Sequence, residues 1–202
     1  VQTALQKAGI QTQDVDAVAV TNRPGLLGSL LVGLSFAKGF AASLDVPFIT
    51  IDHIRAHLYA SQIEHPLQYP YLGLLVSGGH TVICRVDGYD SIEVLGTTID
   101  DAIGEAFDKV AKHYRFGYPG GVAIDRLARK GNPLAFLFPG PTLHSKDHPY
   151  DISYSGLKTA TINQLDKFWD GKSEKSAENI AASFQRAAVN MLVKRVRSAL
   201  EE

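Results

Sequence analysis

The sequence predicts a mixed α/β protein, and three observations lead to that prediction. Two short apolar segments, 15–21 and 46–51, flank a turn and a helical segment at 30–44. Strand, loop, helix and strand within about 35 residues are typical of a βαβ unit, in which the two strands run parallel. Three further strand segments joined by glycine turns follow at 71–96, and most of the later chain has helical periodicity.

Each predicted element has its own sequence signal. Gly9 closes a first helix, a glycine- and proline-containing turn occupies 22–29, and Asp52 is placed to cap a helix over 53–63. Thr98 and Asp101 have the spacing of a capping box before a helix over 100–114. The other predicted elements are strands at 71–76, 80–86 and 91–96, helices at 121–130, 154–168 and 177–201, and a long loop at 131–153.

Two prolines, Pro66 and Pro70, interrupt the pattern and mark a domain boundary. We therefore expect a first lobe at 1–66 and a second lobe at 67–202. The chain begins at Val1 and ends within a helical pattern, so we interpret it as an internal fragment.

The composition excludes several classes of protein. With 202 residues, 45% of them hydrophobic and 20% charged, the chain is long and apolar enough to build a core and is not a disordered protein. The single cysteine, Cys84, excludes an intrachain disulfide framework and fits a reducing compartment. We expect a cytoplasmic protein; the sequence does not separate that location from an organellar one.

Charge and hydropathy bear on nucleic acid and membranes. Lys and Arg total 20 against 21 Asp and Glu, which excludes a polycation along the whole chain but leaves a local basic patch open. The longest apolar stretch, 26–44, is interrupted by glycines, serines and a lysine, so we predict no membrane-spanning segment and no membrane partner.

His53 and His57 form the first candidate site. Their i, i+4 spacing on a helix places two imidazoles on one face, where both can bind one metal ion. A structural histidine pair fits the spacing equally well. A zinc protease of the usual pattern needs Glu directly after the first His, and Ile54 stands there.

Two glycine turns are candidate nucleotide-binding elements. In the first, 75–79 (LVSGG), glycines allow backbone N–H groups to approach an anion, although the motif alone is more often an ordinary hairpin turn. In the second, Pro119-Gly120-Gly121 precedes a helix, and Asp125 lies one turn further on, where it can bond a ribose. A helix entry with a surface Asp explains the second motif as well.

Acidic residues at 101, 105 and 108 share one face of a predicted helix. Lys109 and Lys112 follow Glu105 and Asp108 by four residues, the favourable order for ion pairs. A solvated, charged face is the simplest interpretation.

Six segments occur together and in order, and together they resemble the TsaD family of tRNA N6-adenosine threonylcarbamoyltransferases, once described as O-sialoglycoprotein endopeptidases. The segments are NRPGLLGSLLVG, DHIRAHLYA, LVSGGHT, TTIDDAIGEAFDKVAK, YPGGVAID and YDISYSGLKTA. The resemblance implies the two-lobed actin-like, sugar-kinase and heat-shock-protein fold, related to ribonuclease H and incomplete here at both ends. It also implies transfer of a threonylcarbamoyl group from threonylcarbamoyl-adenylate to N6 of the adenosine beside the anticodon of tRNAs that read ANN codons.

The resemblance also implies roles for individual residues. His53 and His57 would hold one divalent metal ion, iron or zinc, whose third ligand is an aspartate beyond this chain. The positions that match the adenylate-binding motifs of the family are Leu75, Val76, Ser77, Gly78, Gly79, Asp108, Gly121 and Asp125. No protein nucleophile is needed, because the adenylate is already an activated mixed anhydride.

The implied partners are tRNA, a second copy or a paralogue of the same fold, and an accessory ATPase. Six cations surround the second glycine turn and are candidates for tRNA contact, with ion pairing to neighbouring carboxylates as the alternative for Lys109, Lys112 and Arg129. They are Lys109, Lys112, Arg115, Arg126, Arg129 and Lys130. The other functions considered are a non-catalytic scaffold paralogue, which would lack the histidine pair, an actin-like sugar kinase, and a peptidase, which Ile54 disfavours.

Overall fold

The structure, a computed structural model, describes residues 1–140 and 148–201. Part of the predicted long loop, 141–147, lies outside the described residues. The chain divides into two compact units, Val1–Leu67 and Gln68–Glu202.

The first unit contains the predicted βαβ arrangement. Strands β1 (Val18–Arg23) and β2 (Phe48–Asp52) pair in parallel, with Val18 opposite Phe48, and α2 (Leu27–Leu44) connects them. Helix α1 (Gln2–Ala8) ends at Gly9, whose left-handed backbone (φ 68°) satisfies the C-terminal cap as predicted. Helix α3 (His53–Ala60) follows β2 directly and is shorter than predicted, because a short 3₁₀ segment replaces its end.

Helix α2 bears on the prediction that no segment spans a membrane. It has 18 residues and is long and apolar enough, by length and composition, to cross a membrane. Glycines, serines and Lys38 interrupt the apolar sequence of this helix, but its mean hydropathy of 1.5 is still high enough. Core helices of soluble proteins and signal sequences can be equally long and apolar, so one such helix is weak evidence for a membrane span.

In the part of the second unit that the structure describes, an antiparallel sheet is combined with four α-helices. Strands β3 (Tyr71–Val76), β4 (Thr81–Gly88) and β5 (Ser91–Thr97) pair in that order. The helices are α4 (Ile103–Tyr114), α5 (Gly120–Ala128), α6 (Ser155–Asn163) and α7 (Ala177–Leu200). The largest fully buried side chains of the core are Tyr154, Phe136, Phe184, Ile83, Ile124, Ile152, Val86 and Val110. The mixed α/β class is therefore confirmed.

The predicted capping box at the start of α4 is wrong. The helix begins at Ile103, and the Thr98 hydroxyl donates to the backbone carbonyl of Asp101 at 2.6 Å. The Ile103 N–H instead donates to the Thr81 hydroxyl at 3.1 Å, which supplies the cap from a neighbouring strand. The Asp101 carboxylate does not cap the helix, because two lysines bind it.

Candidate functional site

The two histidines lie on one face of α3, in the first unit. The Asp52 carboxylate caps this helix by accepting from the N–H groups of Ile54 (2.9 Å) and Arg55 (3.2 Å). The Nε2 atoms of His53 and His57 are 3.1 Å apart, and both side chains are exposed. Two imidazole nitrogens bound to one tetrahedral zinc ion lie roughly 3.3 Å apart, so the pair fits two positions of a metal site.

A complete metal site is not formed by the described residues alone. Across 1–140 and 148–201, no group of three or more His, Cys, Asp or Glu side chains is placed to hold one ion. Structural zinc sites use four ligands, and catalytic sites use three from the protein. A site built on this pair therefore needs at least one more ligand.

The first glycine turn joins β3 to β4 in the second unit. Leu75 and Val76 end β3, and Ser77 closes the turn through its N–H, which donates to the His80 carbonyl at 2.8 Å. The Ser77 hydroxyl accepts from the His80 N–H at 3.0 Å. Gly78 and Gly79 are exposed, and a Cβ on either would meet no atom within 4 Å. The turn is thus held from within and open to solvent at its two glycines.

Gly104, in the first turn of α4, is where this hairpin turn contacts the helix. A Cβ at Gly104 would lie 2.7 Å from the Gly78 Cα and 2.8 Å from the Ser77 carbonyl oxygen. Both distances are shorter than packed carbon and oxygen atoms allow, so this close approach requires glycine. Together with the Thr81 cap on Ile103, it fixes the hairpin turn on the beginning of α4.

The second glycine turn contacts α4 one helical turn later. The Asp108 Oδ1 accepts from the Gly120 N–H at 2.7 Å, and a Cβ at Gly120 would lie 2.5 Å from the Asp108 Cα. Gly104 and Asp108 are four residues apart and share a face of α4, about 6 Å apart along its axis. The structure therefore brings the two predicted glycine turns to neighbouring positions on one helix.

Asp108 and Asp125, both expected from the resemblance to bind the adenylate, already have protein partners. Asp108 caps α5 with one oxygen, which leaves the other carboxylate oxygen with acceptor capacity. Asp125 accepts from Arg129 Nη2 at 2.8 Å and, across to α7, from Gln185 Nε2 at 3.3 Å. The hydrogen bonds from Arg129 and Gln185 lower the pKa of Asp125 below its usual value, so this carboxylate is charged at neutral pH. Gly121 has open space where a Cβ would stand.

The predicted acidic face of α4 divides into three separate environments. Asp101 precedes the helix and binds Lys109 and Lys158, Glu105 forms the expected ion pair with Lys109 at 2.9 Å, and Asp108 caps α5. Among the described residues no ion pair joins Lys112 to Asp108, because the carboxylate is directed to Gly120. The solvated-face interpretation holds for Glu105 alone.

A cavity of about 550 Å³ lies beside α4 and the segment that leads into α5. It is lined by Glu105, Asp108, Lys109, Ala111, Lys112, Arg115, Gly117 and Tyr118. A cavity of this size is within the range that accommodates ligands as large as a nucleotide. Because Asp108 lines it, the cavity adjoins the second glycine turn.

Three residues that build this region were not assigned a role from the sequence. Gly104 supports the hairpin turn, Gln185 reaches Asp125 from α7, and Lys158 binds Asp101 from α6. Lys158 lies within the quoted segment YDISYSGLKTA, so a signal was present. Its partner is 57 residues earlier in the chain, a separation that no local pattern predicts.

Comparison with known proteins gives a consistent result. The family model described as TsaD, tRNA N6-adenosine threonylcarbamoyltransferase, matches residues 1–202. A protein of that name from Treponema denticola is 60% identical over 194 residues, which cover 96% of this chain and 57% of that relative. The protein of the same name from the Nichols strain of Treponema pallidum is 54% identical over 202 residues, covering all of this chain and 57% of the relative.

A third relative with this name, from Borrelia duttonii, is 50% identical over 201 residues, and the match covers 60% of its length. The chain thus spans a little under two thirds of each of these relatives. Among solved structures, YeaZ from Pseudomonas aeruginosa aligns with a TM-score of 0.35 and 16% identity over 46% of this chain and 48% of that one.

Proposed function

The chain belongs to the TsaD family, and we propose that it supplies a large part of a tRNA-modifying enzyme. This enzyme transfers a threonylcarbamoyl group from threonylcarbamoyl-adenylate to tRNAs that read ANN codons. The acceptor is N6 of the adenosine beside the anticodon. The observation that carries this proposal is the placement of both glycine turns on one face of α4, with Asp108 between them. That arrangement offers a phosphate position and a nucleoside position on one helix. The two-lobed actin-like fold of the family belongs to the same proposal.

The adenylate is oriented by the charge and hydrogen-bonding capacity of the two turns. Within the described residues the N–H groups of Gly78 and Gly79 donate to no other group, and both glycines are exposed. They suit the α-phosphate of the substrate. Asp108 and Asp125 are acceptors that an anion would avoid, so the ribose hydroxyls and the base belong beside them and Gly121. Leu75 and Val76 hold the end of β3 from which the first turn departs.

The transfer needs no protein nucleophile. The N6 amine of the tRNA adenosine attacks the carbamoyl carbon, a C–N bond forms, the bond from that carbon to the phosphate oxygen breaks, and adenosine monophosphate leaves. The amine loses one proton to solvent water as the bond forms. Backbone N–H groups at Gly78 and Gly79 stabilise charge on the departing phosphate, and alignment of the amine with the carbonyl supplies much of the remaining acceleration.

The metal belongs to the same proposal. His53 and His57 would hold an iron or zinc ion, since their Nε2 atoms have a separation suited to one ion, and a third ligand would come from outside this chain. When bound, such an ion supplies Lewis-acid polarisation of an oxygen. The histidine pair favours the enzyme over a scaffold paralogue, and Ile54 in place of a general base disfavours a peptidase. No observation favours a sugar kinase.

The proposed partners are tRNA, a second copy or a paralogue of the same fold, and an accessory ATPase; the proposed location is the cytoplasm. Four exposed cations near the second glycine turn form no ion pair within the described part of the chain and are candidates for tRNA phosphates. They are Lys112, Arg115, Arg126 and Lys130. Lys109 and Arg129, also predicted to contact tRNA, pair with carboxylates instead.

Reconstitution tests the function directly. The full-length protein that carries this chain is incubated with threonylcarbamoyl-adenylate, tRNA and its accessory proteins, and the tRNA nucleosides are analysed by mass spectrometry for threonylcarbamoyl-adenosine. We expect the modified nucleoside, and its absence from an otherwise folded, metal-loaded protein would overturn the proposal.

The placement of the phosphate is tested by Gly79→Val, with Gly156→Val on the exposed face of α6 as control. Neither side chain would meet a protein atom at its Cβ, so both variants are expected to fold. We expect Gly79→Val to weaken binding of adenosine monophosphate much more than binding of adenosine, and Gly156→Val to change neither. Equal losses for the two ligands would contradict the placement.

A further inference from the structure

Two adjacent carboxylates connect the segment before α4 to helix α6. Asp100 accepts from the backbone N–H groups of Tyr154 (2.9 Å) and Ser155 (3.2 Å) and from the Ser153 hydroxyl. These hydrogen bonds satisfy N–H groups at the beginning of α6. The side chains of Leu157 and Ala160 are buried in the core, so α6 is attached to the second unit by a cap and by apolar packing.

Asp101 forms two ion pairs, one with Lys158 of α6 and one with Lys109 of α4. Its carboxylate lies 2.5 Å from Lys158 Nζ and 2.5 Å from Lys109 Nζ, and its side chain is only 11% exposed. Burial alone would raise the pKa of Asp101, but the hydrogen bonds from the two lysines lower it below its usual value. The Thr98 hydroxyl also fixes the Asp101 carbonyl at 2.6 Å. Asp101 is therefore held through both its backbone and its side chain.

This held residue is three positions before Gly104, the residue on which the Ser77-Gly78-Gly79 turn rests. Only Ala102 and Ile103 stand between them, and both are buried. A displacement of Asp101 is thus transmitted through a rigid, packed connection to the contact between Gly104 and the Gly78 backbone. A buried ion pair often contributes no more stability than apolar packing of the same volume would, and in some proteins it fixes one specific arrangement instead.

We propose that Lys158, acting through Asp101, is a positioning residue that fixes the Ser77-Gly78-Gly79 turn for the phosphate of the substrate. Lys158 does not contact the substrate in this arrangement; it sets the position of the first turn of α4, and that turn supports the glycines. The inference rests on the proposed function, because it assigns the turn to phosphate binding. It gives a role to the segment YDISYSGLKTA.

The test compares Lys158→Met, Lys158→Gln and Lys158→Arg in the full-length protein. Asp101 retains Lys109 as a partner in each variant, so its charge is not left alone, and we expect folded proteins. The affinity for adenosine monophosphate should fall about tenfold in the Met and Gln variants, as expected for a displaced binding group. The affinity for adenosine should change less than about twofold, because Asp108 lies one turn further along α4, where its hydrogen bond with Gly120 holds the second glycine turn in place. Lys158→Arg should restore most of the phosphate-dependent affinity.

Lys175→Met is the matched control, because Lys175 also forms an ion pair, with Asp166 at 2.5 Å. The side chains of this pair are more exposed than those of Lys158 and Asp101. We expect wild-type affinities from it. When Asp101→Asn is combined with Lys158→Met, the loss of affinity for adenosine monophosphate should be no larger than in the worse single variant. The reason is that both substitutions remove the same ion pair. Additive losses would overturn the inference, and so would equal affinity of wild type and Lys158→Met for adenosine monophosphate. A wild-type protein that binds no adenine nucleotide would instead overturn the proposed function.

Discussion

Single glycines in the second unit divide into those that leave space for a ligand and those that allow backbones to meet. A Cβ at Gly78, Gly79 or Gly121 would have no atom within 4 Å. A Cβ at Gly104 or Gly120 would instead meet backbone atoms of the first glycine turn or of Asp108 at 2.5–2.8 Å. The first group leaves open space beside the backbone, and the second group allows the two glycine turns to pack against α4. The same residue type thus serves two purposes that substitution can separate.

Gly104→Ala should destabilise the protein, because its Cβ would have to displace the Gly78 backbone or the Ser77 carbonyl. Overpacking of this kind costs about 1–3 kcal/mol. Gly156→Ala, in the first turn of α6 with open space around it, should instead stabilise by about 0.4–1 kcal/mol, because alanine reduces the conformational freedom of the unfolded chain. Urea unfolding of the full-length variants measures both changes. A Gly104→Ala protein at least as stable as wild type would show that the turn does not rest on this residue.

His53→Ala and His57→Ala should each lower the metal content of the full-length protein, because each removes one of very few ligands. Elemental analysis after equal exposure to iron or zinc is the measurement. His65→Ala, another exposed histidine of the first unit, is the matched control and should retain the wild-type content. Full occupancy in the double variant of His53 and His57 would remove the pair from the metal site.

At the scale of elements, local signals predicted most helices and strands but not what joins them. The parallel pairing of β1 with β2, the Asp52 cap of α3 and the Gly9 end of α1 all follow from nearby residues, and the structure confirms them. The start of α4 was misplaced because its cap comes from Thr81, 22 residues earlier. A helix cap that is supplied by a side chain of a distant strand produces no periodic pattern in the sequence.

The candidate site shows the same division between near and distant partners. The motifs that contain Ser77, Asp108 and Gly121 could be identified from the sequence, since glycine turns and their flanking residues are local features. Their common attachment to α4 could not, because it depends on how closely two backbones approach at Gly104 and Gly120. The role of Asp125 also depends on Gln185, 60 residues later.

The connection between α4 and α6 should weaken in acid. The pKa of Asp101 in the folded protein is below its ordinary value of 3.8, so its ion pairs stabilise the fold above that value and are lost as the pH falls through the folded pKa. The difference in unfolding free energy between wild type and Asp101→Asn should therefore be constant at neutral pH and shrink below about pH 4. Denaturant unfolding across this range measures it, with Asp90→Asn in an exposed turn as control. A difference independent of pH would show that the Asp101 charge does not stabilise this connection.

For the whole molecule, a net charge of −1 means that any RNA affinity must come from local clustering of cations. The end of α4 and the length of α5 provide such a cluster in the second unit. Arg115, Arg126 and Lys130 are exposed and form no ion pair among residues 1–140 and 148–201, whereas Arg129 is bound to Asp125 at 2.8 Å. The unpaired cations can exchange their counterions for phosphates without first breaking an ion pair. They should therefore contribute more to tRNA binding than Arg129.

We accordingly expect Arg126→Ala combined with Lys130→Ala to weaken tRNA binding by the full-length protein and to lower its salt dependence by roughly 1 in slope for each phosphate that is no longer bound. Arg129→Ala should change the slope less, and the affinity of the double variant for threonylcarbamoyl-adenylate should stay at the wild-type level. Lys167→Ala combined with Lys172→Ala removes the same charge elsewhere in the second unit and serves as the control. If both double variants lose equal affinity, overall charge governs binding. If neither variant loses affinity across the salt titration, the RNA surface is formed by other parts of the protein or by a partner. Removing two cations that bind phosphate would have to lower the number of ions released on binding.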